Sequence, residues 1–138
     1  MHPVSSDGLT KLTRLLDSAG EGMAFPQAEM AAKANAALSS LVLVMAAEAI
    51  ACMSVENGMP WGKSYALTAQ AMMETASLLL EKGVHPAQLK DMICQPGSVG
   101  VNVLRALERA HLRAAMIDAC KSAYAQAAPH PTHQEESV

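Results

Sequence analysis

The stretch ANAALSSLVLVMAA, residues 34–47, holds no charged side chain, with Lys33 before it and Glu48 after it. Its frame is helical. Pro26 suits the first position of a helix and the Asn57–Gly58 pair suits a stop, so one long helix is expected between them. A helix that is apolar on every face cannot be half-solvated and has to be surrounded by other helices. The whole chain has 138 residues and can supply few helices for that purpose. A second copy is therefore expected to supply the rest, which predicts a homodimer and leaves assembly beyond two subunits open.

Around this helix the punctuation is also helical. Leucines at positions 9, 12, 15 and 16, with Asp7 as the expected N-cap and Gly20 as the stop, predict a short first helix. Glu21 to Phe25 is expected to be a short extended segment or loop. Pro60 and Gly83 bracket a helix with Leu67, Ala71, Thr75, Leu78 and Leu79 on one stripe. His85 is expected as the N-cap of the next helix, with Pro86 at N1 and Gln88 closing a capping box. Val101, Leu104 and Leu107, then Leu112, Met116, Ala119 and Ala123, mark one or two final helices. The predicted fold class is all-α, with five to six helices. Residues 1–25 are expected to form an N-terminal helix and short extended segment, 26–127 the helical domain, and 128–138 a disordered tail.

Composition narrows the function classes. A hydrophobic content of 51% with 3% aromatics leaves Ala, Leu, Val and ten Met to form the core, which suits closely packed helices. A formal net charge of −3 and the lack of basic residues interleaved with aromatics give nucleic-acid binding no basis. Cys52, Cys94 and Cys120 are odd in number and lie in apolar helical patterns, as reduced thiols of a cytoplasmic protein do. The most apolar segment, Leu41 to Ala47, is shorter than the ~20 residues of a membrane span, so no membrane association is expected.

No P-loop, G-x-G-x-x-G, G-x-S-x-G or H-E-x-x-H occurs. His130 and His133 in the tail lack further ligands, and no metal site is expected. Lys63, Ser64 and Tyr65 are helix neighbours that face apart, which defines no nucleophile and base. Glu48 marks either a satisfied buried carboxylate or the point where the long helix surfaces. One place combines special backbone chemistry with a helix start: QPGSVG, residues 95–100. Its free N–H groups could receive a carboxylate or phosphate, or the turn could simply join two helices.

The run from Gly58 to Tyr124 resembles the C-terminal dimerisation domain of pyrroline-5-carboxylate reductase, which acts in the last step of proline synthesis. The resemblance rests on Gly58, Pro60, Ala69–Gln70, LLLEKGVHPAQLKDM from Leu78 to Met92, Pro96–Gly97, LRALE from Leu104 to Glu108, and LRAAMIDA from Leu112 to Ala119. Glu48 falls where the family's first long dimerisation helix has its glutamate. Leu12 to Phe25 is similar to the last helix and strand of the family's nucleotide-binding domain. The resemblance implies an interlaced, all-helical dimerisation domain. It also implies that NADPH would sit on a preceding Rossmann domain, which these residues do not include, so no cofactor-binding residue is expected here and NADPH enters only with a separate nucleotide-binding chain.

The family's substrate loop falls on Pro96 to Gly100, where the pattern is Pro-Gly-Gly-Thr-Thr. Here Ser98 replaces the second glycine, and Val99 and Gly100 replace the threonines. Each lost hydrogen bond to a charged carboxylate removes about 1.5–3 kcal/mol. The family's Ser-Gly-Ser-Gly-Pro-Ala is reduced to AALSSLV, which keeps Ser39 and Ser40. Its Gly-Gly joint is Ala110–His111 here, which could let the last two helices run on as one.

The expectation is a stand-alone cytoplasmic homodimer related to this reductase but not a self-sufficient NAD(P)H reductase. One alternative is the substrate-binding half of a split proline-pathway reductase. Another is a small-molecule binding protein or redox-neutral enzyme that reuses the dimer cleft. A small carboxylate would be met by Gly97, Ser98, Gly100, Asn102 and Ser39; no catalytic residue is identifiable.

Overall fold

The computed structural model describes residues 5–22, 26–81 and 83–127. These form six helices and, among the described residues, no strand: α1 (Ser6–Ser18), α2 (Pro26–Glu56), α3 (Trp61–Leu80), α4 (Pro86–Ile93), α5 (Val99–Arg109) and α6 (Leu112–Ala127). The expected all-α class and helix order are observed. The chain divides into two compact units, Met1–Leu38 with Met116–Val138, and Ser39–Ala115.

In the first unit, α1 is capped by Ser5, whose Oγ accepts the Gly8 N–H at 3.0 Å. Asp7 is therefore not the cap. It lies inside the first turn, where its carboxylate meets Lys11 at 2.7 Å and the positive end of the helix dipole. Gly20 follows the helix with φ +87, and a side-chain carbon there would stand 2.6 Å from the Glu29 Cα, so the turn passes directly against the start of α2. Lys33 pairs with Glu29 at 2.8 Å, which holds its ammonium above the ordinary lysine value. Of the expected extended segment, Glu21 and Gly22 form a turn and Met23 to Phe25 lie outside the described residues, as does the expected disordered tail with His130 and His133.

The second unit begins in α2 at Ser39. The helix stops where the sequence places the stop. The Gly58 N–H donates to the Val55 carbonyl at 2.9 Å and the Met59 N–H to the Ser54 carbonyl at 3.0 Å, with Gly58 at φ +96. That pair of bonds is a Schellman motif, which satisfies carbonyls that the helix end would orphan. Pro60 then starts α3.

Between α2 and α3 the closest packing uses small residues. Ala51 is fully buried and Ser64 is 1% exposed, and the Ser64 hydroxyl donates to the Ala51 carbonyl at 2.9 Å. Thr68, one turn further on, is also buried. At 100° per residue Ser64 and Thr68 extend the expected stripe of Ala71, Thr75 and Leu79 toward the start of α3. Polar and small, they escaped an apolar count. Helix α3 ends at Leu80, before the expected Gly83.

Helix α4 is capped as expected. His85 Nδ1 accepts the Ala87 N–H at 3.1 Å, and the His85 N–H donates to Gln88 Oε1 at 3.3 Å. Leu89 is its buried residue.

The last two helices do not run on as one. The Ala110 N–H donates to the Ala106 carbonyl at 3.0 Å and the His111 N–H to Glu108 at 3.1 Å, while His111 takes φ 56. A β-carbon in this left-handed region costs roughly 1–2 kcal/mol. The joint keeps its break although the residue that would adopt it freely, glycine, is replaced. Across the break, Arg113 pairs with Glu108 at 3.0 Å.

Candidate functional site

Helix α2 presents a large exposed apolar surface. Within residues 34–47 only Ala34 is buried, whereas Leu41 is 62% exposed, Val44 61% and Met45 67%. Leu43, Ile50 and Met53 are likewise about half exposed. At 100° per residue these six side chains point around the whole circumference, so turning the helix cannot hide them. Glu48 is exposed among them.

The magnitude favours an occupant. Full burial of such a side chain contributes roughly 1.5–3 kcal/mol, and about half of that remains to be gained. Six from each of two copies would add about 12 kcal/mol, comparable with the roughly 4–15 kcal/mol that association costs. The same helix is long and apolar enough to cross a membrane by length and composition. Length and composition alone do not place it in a membrane; alanines and serines extend the apolar helix beyond the run at Leu41 to Ala47 without breaking it.

The turn between α4 and α5 is built from its own residues. The Ser98 N–H donates to the Gln95 carbonyl at 3.0 Å, with Pro96 and Gly97 at the two central positions and Gly97 at φ 81. Proline first and a left-handed glycine second make a type II turn. The Ser98 hydroxyl donates to the Ile93 carbonyl at 3.2 Å, at the C-terminal end of α4. A side-chain carbon on Gly100 would lie 2.5 Å from that same carbonyl oxygen, so the two helices meet backbone to backbone. The Cys94 thiol reaches the Gly100 carbonyl at 3.6 Å.

Gly97 and Ser98 lie in this turn, and Gly100 and the exposed Asn102 follow in the first turn of α5. Ser98 is the N-cap of α5 by backbone conformation but makes no side-chain cap bond. The first N–H groups of α5, which have no intrahelical partner, are left to other acceptors. Ser39 lies on α2, exposed.

An open cleft of about 260 Å³ lies between α3 and α4, lined by Thr75, Leu79, Pro86, Leu89, Lys90, Ile93 and Cys94. None of the five expected ligand-binding residues lines it. Its wall is apolar apart from Lys90 and Thr75, and the Thr75 hydroxyl is taken by the Ala71 carbonyl at 2.8 Å. The buried Ser64–Ala51 contact was the element that sequence reasoning missed. A small residue four positions from another, Ala47 with Ala51 and Ser64 with Thr68, is the signal that could have found it.

Residues 27–129 match the family model described as pyrroline-5-carboxylate reductase dimerisation. Curated relatives agree. A pyrroline-5-carboxylate reductase of Escherichia coli (strain K12) is 43% identical over 81 residues, covering 59% of this chain and 30% of its own length. Pyrroline-5-carboxylate reductase 3 of Bos taurus is 35% identical over 117 residues, 84% of this chain and 38% of its own length. A pyrroline-5-carboxylate reductase of Thermus thermophilus is 42% identical over 81 residues, covering 59% of this chain and 30% of its own length. The chain spans about a third of the length of these relatives.

Proposed function

The chain belongs to the pyrroline-5-carboxylate reductase dimerisation family, and from that membership we propose that it works as a homodimeric helical unit in which the helices of a second copy surround α2. The supporting observation is the all-round exposure of Leu41, Leu43, Val44, Met45, Ile50 and Met53. A membrane would also cover such a helix. The dimer reading is preferred because the family match includes α2, and because the exposed Glu48 stands between the exposed Met45 and Ile50. Light scattering on the chain purified without detergent tests it: twice 14.5 kDa supports the dimer, and recovery only in detergent contradicts it.

The same proposal holds that these 138 residues are not by themselves a nicotinamide-dependent reductase. They contain no glycine-rich phosphate turn after a strand, the element that seats such a cofactor. Calorimetric titration with NADPH checks this, and micromolar binding by the chain alone would contradict it. Supply of the cofactor by a separate chain, as in a split reductase, would show as NADPH binding only after that chain is added.

A second reading is favoured by the uncapped start of α5. A small carboxylate sits at the N–H groups around Gly97, Ser98 and Gly100, with Asn102 in the first turn of the same helix; Ser39, the fifth expected residue, stands on α2. Ser98 contributes less than a free hydroxyl would, since its proton already goes to Ile93. Thermal stabilisation by proline-like acids, reduced in Ser98→Ala, supports the site; no shift at millimolar ligand removes it.

A further inference from the structure

We propose that the cleft between α3 and α4 takes a straight-chain fatty acid, with its hydrocarbon along the apolar wall and its carboxylate at Lys90. The cleft lies within the unit Ser39–Ala115 and shares no residue with the exposed face of α2 or with the turn at residues 95–100. On α4, Pro86, Leu89, Lys90, Ile93 and Cys94 follow helical spacing and form one stripe. Thr75 and Leu79, one turn apart on α3, form the opposite wall. Leu79 and Ile93 are each about half exposed, so hydrocarbon laid between the helices removes apolar surface from water.

The polar groups of the wall narrow the ligand to one anionic end. The Thr75 hydroxyl donates to the Ala71 carbonyl at 2.8 Å, and the Cys94 thiol to the Gly100 carbonyl at 3.6 Å. The donor left for a ligand is the Lys90 ammonium. Lys11, Lys33 and Lys121 each pair with a carboxylate of their own helix, whereas Lys90 has no such pair among the described residues. A lysine on an apolar stripe lays its methylenes on the wall and keeps its ammonium in water at the mouth. The matching molecule is apolar along its body and carries a single negative charge. A volume of about 260 Å³, at roughly 30 Å³ for a group the size of water, takes about nine such groups, close to the carbon chain of octanoate.

Peptide-resolved alkylation of the 138-residue chain with iodoacetamide, with sodium octanoate as the probe, tests the proposal. Cys94 reads the cleft, and Cys52 and Cys120, which lie outside it, are the controls. A ligand of about ten heavy atoms at ordinary efficiency binds with a Kd on the order of 1 mM, so ~10 mM octanoate should slow alkylation of Cys94 about tenfold and leave the controls unchanged. Octylammonium, the same chain with the opposite charge, should give no protection. Lys90→Arg should keep the octanoate effect, and Lys90→Glu should reverse the preference between the two probes. Equal protection by both probes, or octanoate protection that survives Lys90→Glu, overturns the proposal. A Cys94 rate that falls with rising protein concentration and ignores octanoate means that a second copy covers the cleft; it overturns this inference and leaves the dimer reading standing. A Cys94 rate unchanged under every condition overturns it as well.

Discussion

The Ser64 hydroxyl donates to the Ala51 carbonyl across the α2–α3 contact at 2.9 Å, with both residues buried. This bond lets two helix backbones approach without leaving a polar atom unsatisfied. Ser64→Ala should lower unfolding stability by about 1 kcal/mol through loss of the bond. Ser64→Val should cost about 1–3 kcal/mol, because its extra methyl has no room. Denaturant titration at one fixed protein concentration measures both, and a valine variant as stable as the parent would mean the contact is looser than described.

At Gly100 the constraint is distance. A β-carbon 2.5 Å from the Ile93 oxygen cannot be accommodated by moving a flexible side-chain end, since the obstacle is backbone. Gly100→Ala should therefore destabilise by about 1–3 kcal/mol, whereas Asn102→Ala on the same helix, exposed, should change stability by less than about 0.5 kcal/mol. Equal effects of the two would show that α4 and α5 do not meet as described.

His111 makes the opposite prediction. Its left-handed conformation, φ 56, is one that glycine adopts freely, so His111→Gly should raise stability by about 1 kcal/mol although it removes a side chain. His111→Val should lower it, because β-branched residues are least tolerant of positive φ. A glycine variant less stable than the parent would mean that the imidazole makes a contact worth more than the strain.

Much of the fold could be read from punctuation. Pro26, Gly58, Pro60, His85–Pro86 and Gly20 mark helix ends through backbone chemistry that depends on few neighbours, and those ends lie where expected. The misreadings came where two local solutions competed. Ser5 and Asp7 are both good caps, and the Ser5 hydroxyl took the Gly8 N–H while Asp7 took Lys11. At Ala110–His111 helix propensity favoured continuity, but the chain breaks there and accepts the strain. Of the candidate site, the turn at residues 95–100 was legible because Pro-Gly is specific. The commitment of the Ser98 hydroxyl to Ile93 was not, since it depends on where α4 ends in space.

The most direct measurement is sedimentation velocity of the unmodified chain, diluted from about 100 μM to about 1 μM without detergent. Two copies clasped through α2 predict a folded species of twice 14.5 kDa over most of that range, and a shift to the monomer mass when Val44→Glu places a charge on the apolar face. A helical, folded monomer of 14.5 kDa at every concentration would contradict the pairing of α2.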